Sequence, residues 1–163
     1  MEILVSGAGL LTWRGRRWRC ALGSAGVSGD KREGDGATPS GCFAMRRLLY
    51  RAERLVVPGT TLPRAPLQRH DGWCDAPSDG NYNRQVSLPY PARCEALWRE
   101  DGVYDLIVVL GYNDDPVVPG RGSAIFLHLA RPDLAPTQGC VAVARPALLE
   151  MLGGGANRLR IVA

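Results

Sequence analysis

The 163-residue sequence has no apolar run long enough to cross a membrane; its longest, Leu106-Ile107-Val108-Val109-Leu110, has the length of a buried strand. No basic stretch followed by an apolar one opens the chain. Met1 to Leu11 holds Glu2 and the small flexible positions Ser6, Gly7 and Gly9, so it does not read as a signal peptide. No block of like charge stands out either. The arginines are scattered apart from pairs such as Arg16-Arg17 and Arg46-Arg47, and the net charge is only +4. That pattern reads as a solvated surface, and no nucleic-acid partner is expected. The five cysteines include no CxxC pair, which argues against a zinc ribbon or any other metal site. Cys20, Cys42, Cys74 and Cys94 read as small core or pocket residues. Only two histidines are present, so an imidazole base has two candidates.

What is present in excess is turn-forming residues, with Gly 20 and Pro 12. They favour short strands over long helices. Residues 2–5, 10–13 and 18–22 alternate or cluster apolar side chains around a Gly-containing turn at 14–17, a hairpin pattern in which Trp13 and Trp18 are expected to pack across strands. A Gly-rich and Ser-rich loop follows from Gly23 to Gly41, then a strand at Phe43 to Leu49. Residues 58–91 read as a second long irregular stretch, and loops of that kind are often functional. Cys94, Leu97 and Trp98, spaced by three and four after Pro91, predict a short helix up to Glu100. Strands are expected at Val103 to Leu110, Ala124 to Leu129, Val141 to Val143 and Leu159 to Ile161. A second helix is expected at Pro146 to Leu152, stopped by Gly153-Gly154-Gly155. Residues 1–163 thus read as one mainly β domain with two short helices.

His70 lies in the irregular stretch beside Asp71 and reads as an exposed loop residue. His128 sits near the end of a strand whose alternation puts Phe126 and His128 on one face and Ile125, Leu127 and Leu129 on the other. Thr137-Gln138-Gly139-Cys140-Val141 places a thiol directly after a glycine, between a loop and a strand. Glycine there permits a tight bend and close approach of a substrate. A nearby imidazole can take the proton of a thiol and make it a nucleophile. One loop separates His128 from Cys140, so two neighbouring strands can bring them together.

Thr137-Gln138-Gly139-Cys140, with the upstream strand histidine, resembles the active-site motif of the YkuD-type L,D-transpeptidases. That motif runs from a strand His to Ser or Thr, a variable position (often His), Gly and Cys. A second segment, Lys31 followed by Thr38-Pro39-Ser40-Gly41, resembles the family's Lys…Thr-Pro-x-Gly block in the expected order. The resemblance spans roughly residues 20–160 on the usual one-domain prior. It implies a β-sandwich-like fold. It also implies Cys140 as nucleophile, His128 as base, and the backbone N–H groups of Gly139 and Cys140 as oxyanion donors. The implied activity is acyl transfer through a Cys140 thioester on peptidoglycan stem peptides or muropeptides, with no cofactor. The location implied is the periplasm or cell envelope, which the unremarkable N-terminus does not itself indicate.

Three departures mark a short, divergent subgroup. Ala142 stands where the family commonly has Arg, Gln138 where it commonly has His, and the loop before Cys140 looks short. Thr137, Gln138, Arg131, Arg145, Trp73, Tyr82 and Tyr112 are candidates for substrate binding: Arg131 and Arg145 through a carboxylate, with a plain surface role as the equal alternative, and the three aromatics as a groove lining, with core packing as the competing account. No third catalytic side chain stands out: Asp133, in the loop between His128 and Cys140, reads at least equally as a solvated loop residue, and a backbone carbonyl could orient the imidazole in its place. A hydrolase with water as acceptor, and a cell-wall-binding module without turnover, are the alternatives.

Overall fold

A computed structural model describes residues 1–163. The strands are, in order, β1 (Glu2–Ser6), β2 (Leu10–Trp13), β3 (Arg16–Ala21), β4 (Val27–Ser28), β5 (Thr38–Pro39), β6 (Gly41–Tyr50), β7 (Arg64–Pro66), β8 (Asp71–Cys74), β9 (Gln85–Ser87), β10 (Cys94–Ala96), β11 (Leu106–Leu110), β12 (Phe126–Leu129) and β13 (Val141–Val143). One helix, α1 (Arg145–Gly153), and a final strand, β14 (Arg158–Val162), complete the chain.

Nine strands form one sheet in the order β11-β12-β13-β3-β2-β1-β14-β6-β7, and β11 also pairs with β6. That last pairing closes the sheet, so the architecture is barrel-like and not the sandwich the family resemblance implied. The ten-residue β6 makes the closure. Its first part, Gly41 to Ala44, pairs with β14, and its second, Met45 to Tyr50, pairs with β11. A register shift beside Val109 and Leu110 lets the ladder bend there.

The closed sheet has apolar side chains on both faces. Leu106, Val108 and Leu110 of β11 point into the barrel core with Ile3, Val5, Leu11, Leu127 and Val141. Ile107 and Val109 point outward into a second core with Leu49, Trp73, Leu97, Tyr104, Phe126 and Cys140. This is why the β11 run is apolar without interruption. The outer core is covered by a small antiparallel sheet, β10-β8-β9.

Helix α1 begins with Pro146 in its first turn, where the missing N–H has no partner to lose. It buries Ala147, Leu148, Met151 and Leu152 in the barrel core and ends as the Gly154 N–H donates to the Glu150 carbonyl. The second expected helix does not form. Residues 94–96 are strand β10, paired with β8 through Cys94–Cys74, Glu95–Trp73 and Ala96–Gly72. Leu97 is fully buried and Trp98 is stacked on the Arg51 guanidinium, so their three-and-four spacing reflects the outer core and not a helical face. The stretch 58–91 likewise holds the short strands β7, β8 and β9. In the first hairpin Trp18 faces Leu11 and Trp13 faces Arg16, so the two tryptophans are diagonal neighbours and not opposite partners.

Candidate active site

Strands β12 and β13 run parallel, with Leu127 opposite Val141 and His128 opposite Ala142. Cys140 immediately precedes β13 and falls beside Phe126. Alternation then puts Phe126, His128, Cys140 and Ala142 on the outward face. His128, Cys140 and Ala142 line one groove of about 760 Å³ that also holds Glu95, Tyr104 and Arg131.

The Phe126 N–H donates to Cys140 Sγ at 3.3 Å, and the thiol donates to the Ala124 carbonyl at 3.2 Å. The thiol proton is therefore aimed along the strand and not at His128. Both groups are nearly buried, Cys140 at 7% exposure and His128 at 7%. Burial pushes the Cys140 thiol up to about 12, with the Glu95 charge adding to the effect. Burial likewise holds His128 down at about 4, against the favourable pull of the Leu129 carbonyl. The resting pair is a neutral thiol and a neutral imidazole, because neither charge is solvated.

His128 Nδ1 lies 2.9 Å from the Leu129 carbonyl. A carbonyl only accepts, so Nδ1 carries the proton and Nε2 keeps its lone pair. The Leu129 carbonyl thus orients the ring. Tyr104 packs edge-on to the imidazole, with centroids 5.1 Å apart, and its hydroxyl donates to Glu95.

Gly139 has φ +141, and a Cβ there would stand 2.8 Å from the Ala37 carbonyl oxygen. The two sequence blocks therefore touch at this point. Thr38 is fully buried, and its hydroxyl accepts from the Gly23 N–H at 2.8 Å. The Ser24 N–H donates to the Thr137 carbonyl, and the Thr137 N–H to that of Leu22. Thr137 Oγ1 then donates to the Cys140 carbonyl at 2.7 Å and accepts from the Gly139 N–H at 3.1 Å. Lys31, the only lysine, is buried. Its ammonium is held by Asp35 at 2.5 Å, and its stem lies against Gly122 and Gly139. That ammonium slightly favours the Cys140 thiolate.

These contacts sort the residues expected from the sequence. Gln138 and Arg131 line the groove with Cys140 and His128. Thr137 also lies along it, but its hydroxyl is engaged within the turn. The Gly139 N–H is engaged there too, whereas the Cys140 N–H has no acceptor in the protein. Arg145 pairs with Asp105 at 3.3 Å and borders a neighbouring pocket instead of the groove.

The three aromatics do not line the groove. Trp73 is buried, packs edge-on to Phe126 and donates from Nε1 to Asn83. Tyr82 is buried, donates to Glu33 at 2.8 Å and accepts from the Gly122 N–H. Tyr112 packs on Phe43 and donates to the Arg121 carbonyl. His70 is exposed on the loop before β8.

Sequence reasoning missed Glu95, Arg99 and Tyr104. Arg99 makes two hydrogen bonds to Asp101, which Arg131 also contacts at 3.1 Å. Arg99 holds the Asp101 carboxyl down at about 2. A helix over Pro91 to Glu100 would aim Glu95 and Arg99 differently from the strand that forms at 94–96, and Tyr104, within the expected strand Val103 to Leu110, instead lies in the turn before β11.

No curated protein sequence matches the chain. The family model for the L,D-transpeptidase catalytic domain, YkuD, matches residues 4–153. That span includes both halves of the stitched site, the Lys31–Gly41 loop and the Thr137–Cys140 turn, together with the strand that carries His128. The chain therefore belongs to the YkuD family of L,D-transpeptidase catalytic domains.

Proposed function

We propose that the protein is a cysteine acyltransferase acting on peptidoglycan stem peptides, with Cys140 as nucleophile and His128 as base. The observation that carries this reading is the placement of Cys140 and His128 on the same outward face of a parallel strand pair, open to one groove. Substrate entering the groove draws the thiol away from Ala124 and toward the carbonyl of an L,D-configured peptide bond after a diamino acid. His128 Nε2 takes the thiol proton as Sγ attacks. The Cys140 N–H donates to the oxyanion. The tetrahedral intermediate collapses, the terminal D-residue leaves with the proton from His128, and a thioester remains on Cys140. An amine of a second stem resolves it to a cross-link; water in its place gives a carboxypeptidase. Arg131 and Gln138 stand where the donor peptide would lie.

One observation favours a second reading. The buried, neutral thiol bonded to Ala124, with Ala142 and Gln138 at two motif positions, also suits a binding module without turnover. Incubation with a defined stem tetrapeptide, with and without an acceptor amine, separates the readings by intact-mass spectrometry. A thioester on the wild type that is absent from Cys140→Ala supports the enzyme. Binding without any adduct supports the module, and an adduct retained on Cys140→Ala removes Cys140 from the mechanism.

A further inference from the structure

Cys74 and Cys94 are direct register partners across the β8–β10 ladder, and both are free thiols. The ladder bonds run from the Leu97 N–H to the Asp71 carbonyl and from the Asp75 N–H to the Arg93 carbonyl. Alternation places Cys74 and Cys94 at the non-hydrogen-bonded position between them, where Cα atoms approach to about 4.5 Å. That separation is within the span of about 4.4–6.8 Å that a disulfide bridges. Burial pushes the Cys94 thiol up to about 11, and the neighbouring Cys74 adds to the effect. No other pair of cysteines in the chain occupies facing positions in a ladder.

Access is unequal. Cys74 is fully buried, whereas Cys94 is part-exposed and lines the groove. Strand β10 is an edge strand held in its sheet by β8 alone. It carries Cys94 and Glu95 into the groove wall, and Arg99 follows a few residues later.

We propose that Cys74 and Cys94 form a reversible disulfide that staples the groove wall. The oxidant is a small-molecule disulfide. The Cys94 thiolate attacks one of its sulfurs, the S–S bond breaks, and one thiol leaves with a proton. Cys74 then attacks the Cys94 sulfur of the mixed disulfide and releases the second thiol. The two cysteines lose two protons and two electrons, and the disulfide oxidant is reduced to two thiols. The staple ties β10 to the central strand of its sheet and leaves Cys140 as a free thiol. An oxidising compartment holds such a link closed. This inference is independent of acyl transfer.

The test uses the full chain, folded and reduced, equilibrated with oxidised glutathione, then quenched in acid, alkylated and digested. The expected product is a peptide pair joined through Cys74 and Cys94, with a mass loss of two hydrogens and with Cys140 alkylated. The oxidised protein should melt several degrees higher, because the link restricts the unfolded chain. Cys94→Ser should lose both the linked peptide and the oxidant-dependent shift while melting close to the reduced wild type. Full alkylation of Cys74 and Cys94 after equilibration would overturn the proposal. So would a link that appears only when the same incubation is run in denaturant.

Discussion

The carbonyl oxygen of Ala37 fills the space that a side chain on Gly139 would need, since a Cβ there would stand 2.8 Å from it. The loop from Lys31 to Gly41 thus buttresses the turn that presents Cys140. With φ at +141, Gly139 also holds a backbone conformation that other residues rarely adopt. Replacing Gly139 with Ala should destabilise the fold by about 1–3 kcal/mol. Acylation of Cys140 should fall further than the folded fraction does, because the turn itself must shift. Urea melts beside intact-mass acylation rates measure the two effects, and acylation retained at the wild-type rate would show that the turn tolerates the change.

Thr137 makes the same turn rigid from the inside. Its hydroxyl joins the Gly139 N–H to the Cys140 carbonyl. Thr137→Val preserves shape and removes both bonds, so a loss of about 1–3 kcal/mol in stability is expected. Thr137→Ser should restore both stability and acylation rate. If the Ser variant behaved like Val, packing of the methyl group would be the operative role.

The burial of His128 makes stability depend on pH. In the folded chain the imidazole is held down at about 4, whereas its ordinary value is 6.5. Between those values the unfolded chain binds a proton that the folded chain refuses. Stability is therefore complete above about 6.5, declines as pH falls toward about 4, and levels off below, with a total of about 3 kcal/mol from this group. His128→Gln should flatten that decline in urea melts taken across the range. The same shift keeps the His128 imidazole unprotonated at neutral pH, so if it is the base, acylation should show no loss from its protonation until well below pH 6. A rate that fell with a midpoint near 6.5 would mean that the ring is solvated when substrate is bound.

Much of the site was legible because it depends on short, local patterns. Strand alternation put His128 and Phe126 on one face, and the outer core confirms that placement. The Gly139-Cys140 pair marked a bend, and the bend exists because Gly139 alone admits the Ala37 carbonyl. For Trp73, Tyr82 and Tyr112, local sequence leaves groove lining and packing side by side, and the structure shows packing. Aromatic rings in an irregular stretch look like binding surface until their hydroxyl and indole groups are seen bonded inward.

The sequence by itself determined the mainly β content, the one helix that starts at a proline and stops at glycines, and the candidate thiol and imidazole. Those depend on residue type and period, which act over a few neighbours. Only the tertiary structure decided that the sheet closes through β6 and β11, that residues 94–96 are a strand, and that Glu95, Tyr104 and Arg99 gather beside His128. Pairing between strands distant in sequence outweighs a weak local helical spacing. The resting state of the pair was decided there too, because the charge on a thiol or an imidazole is set by how much of the fold excludes water from it.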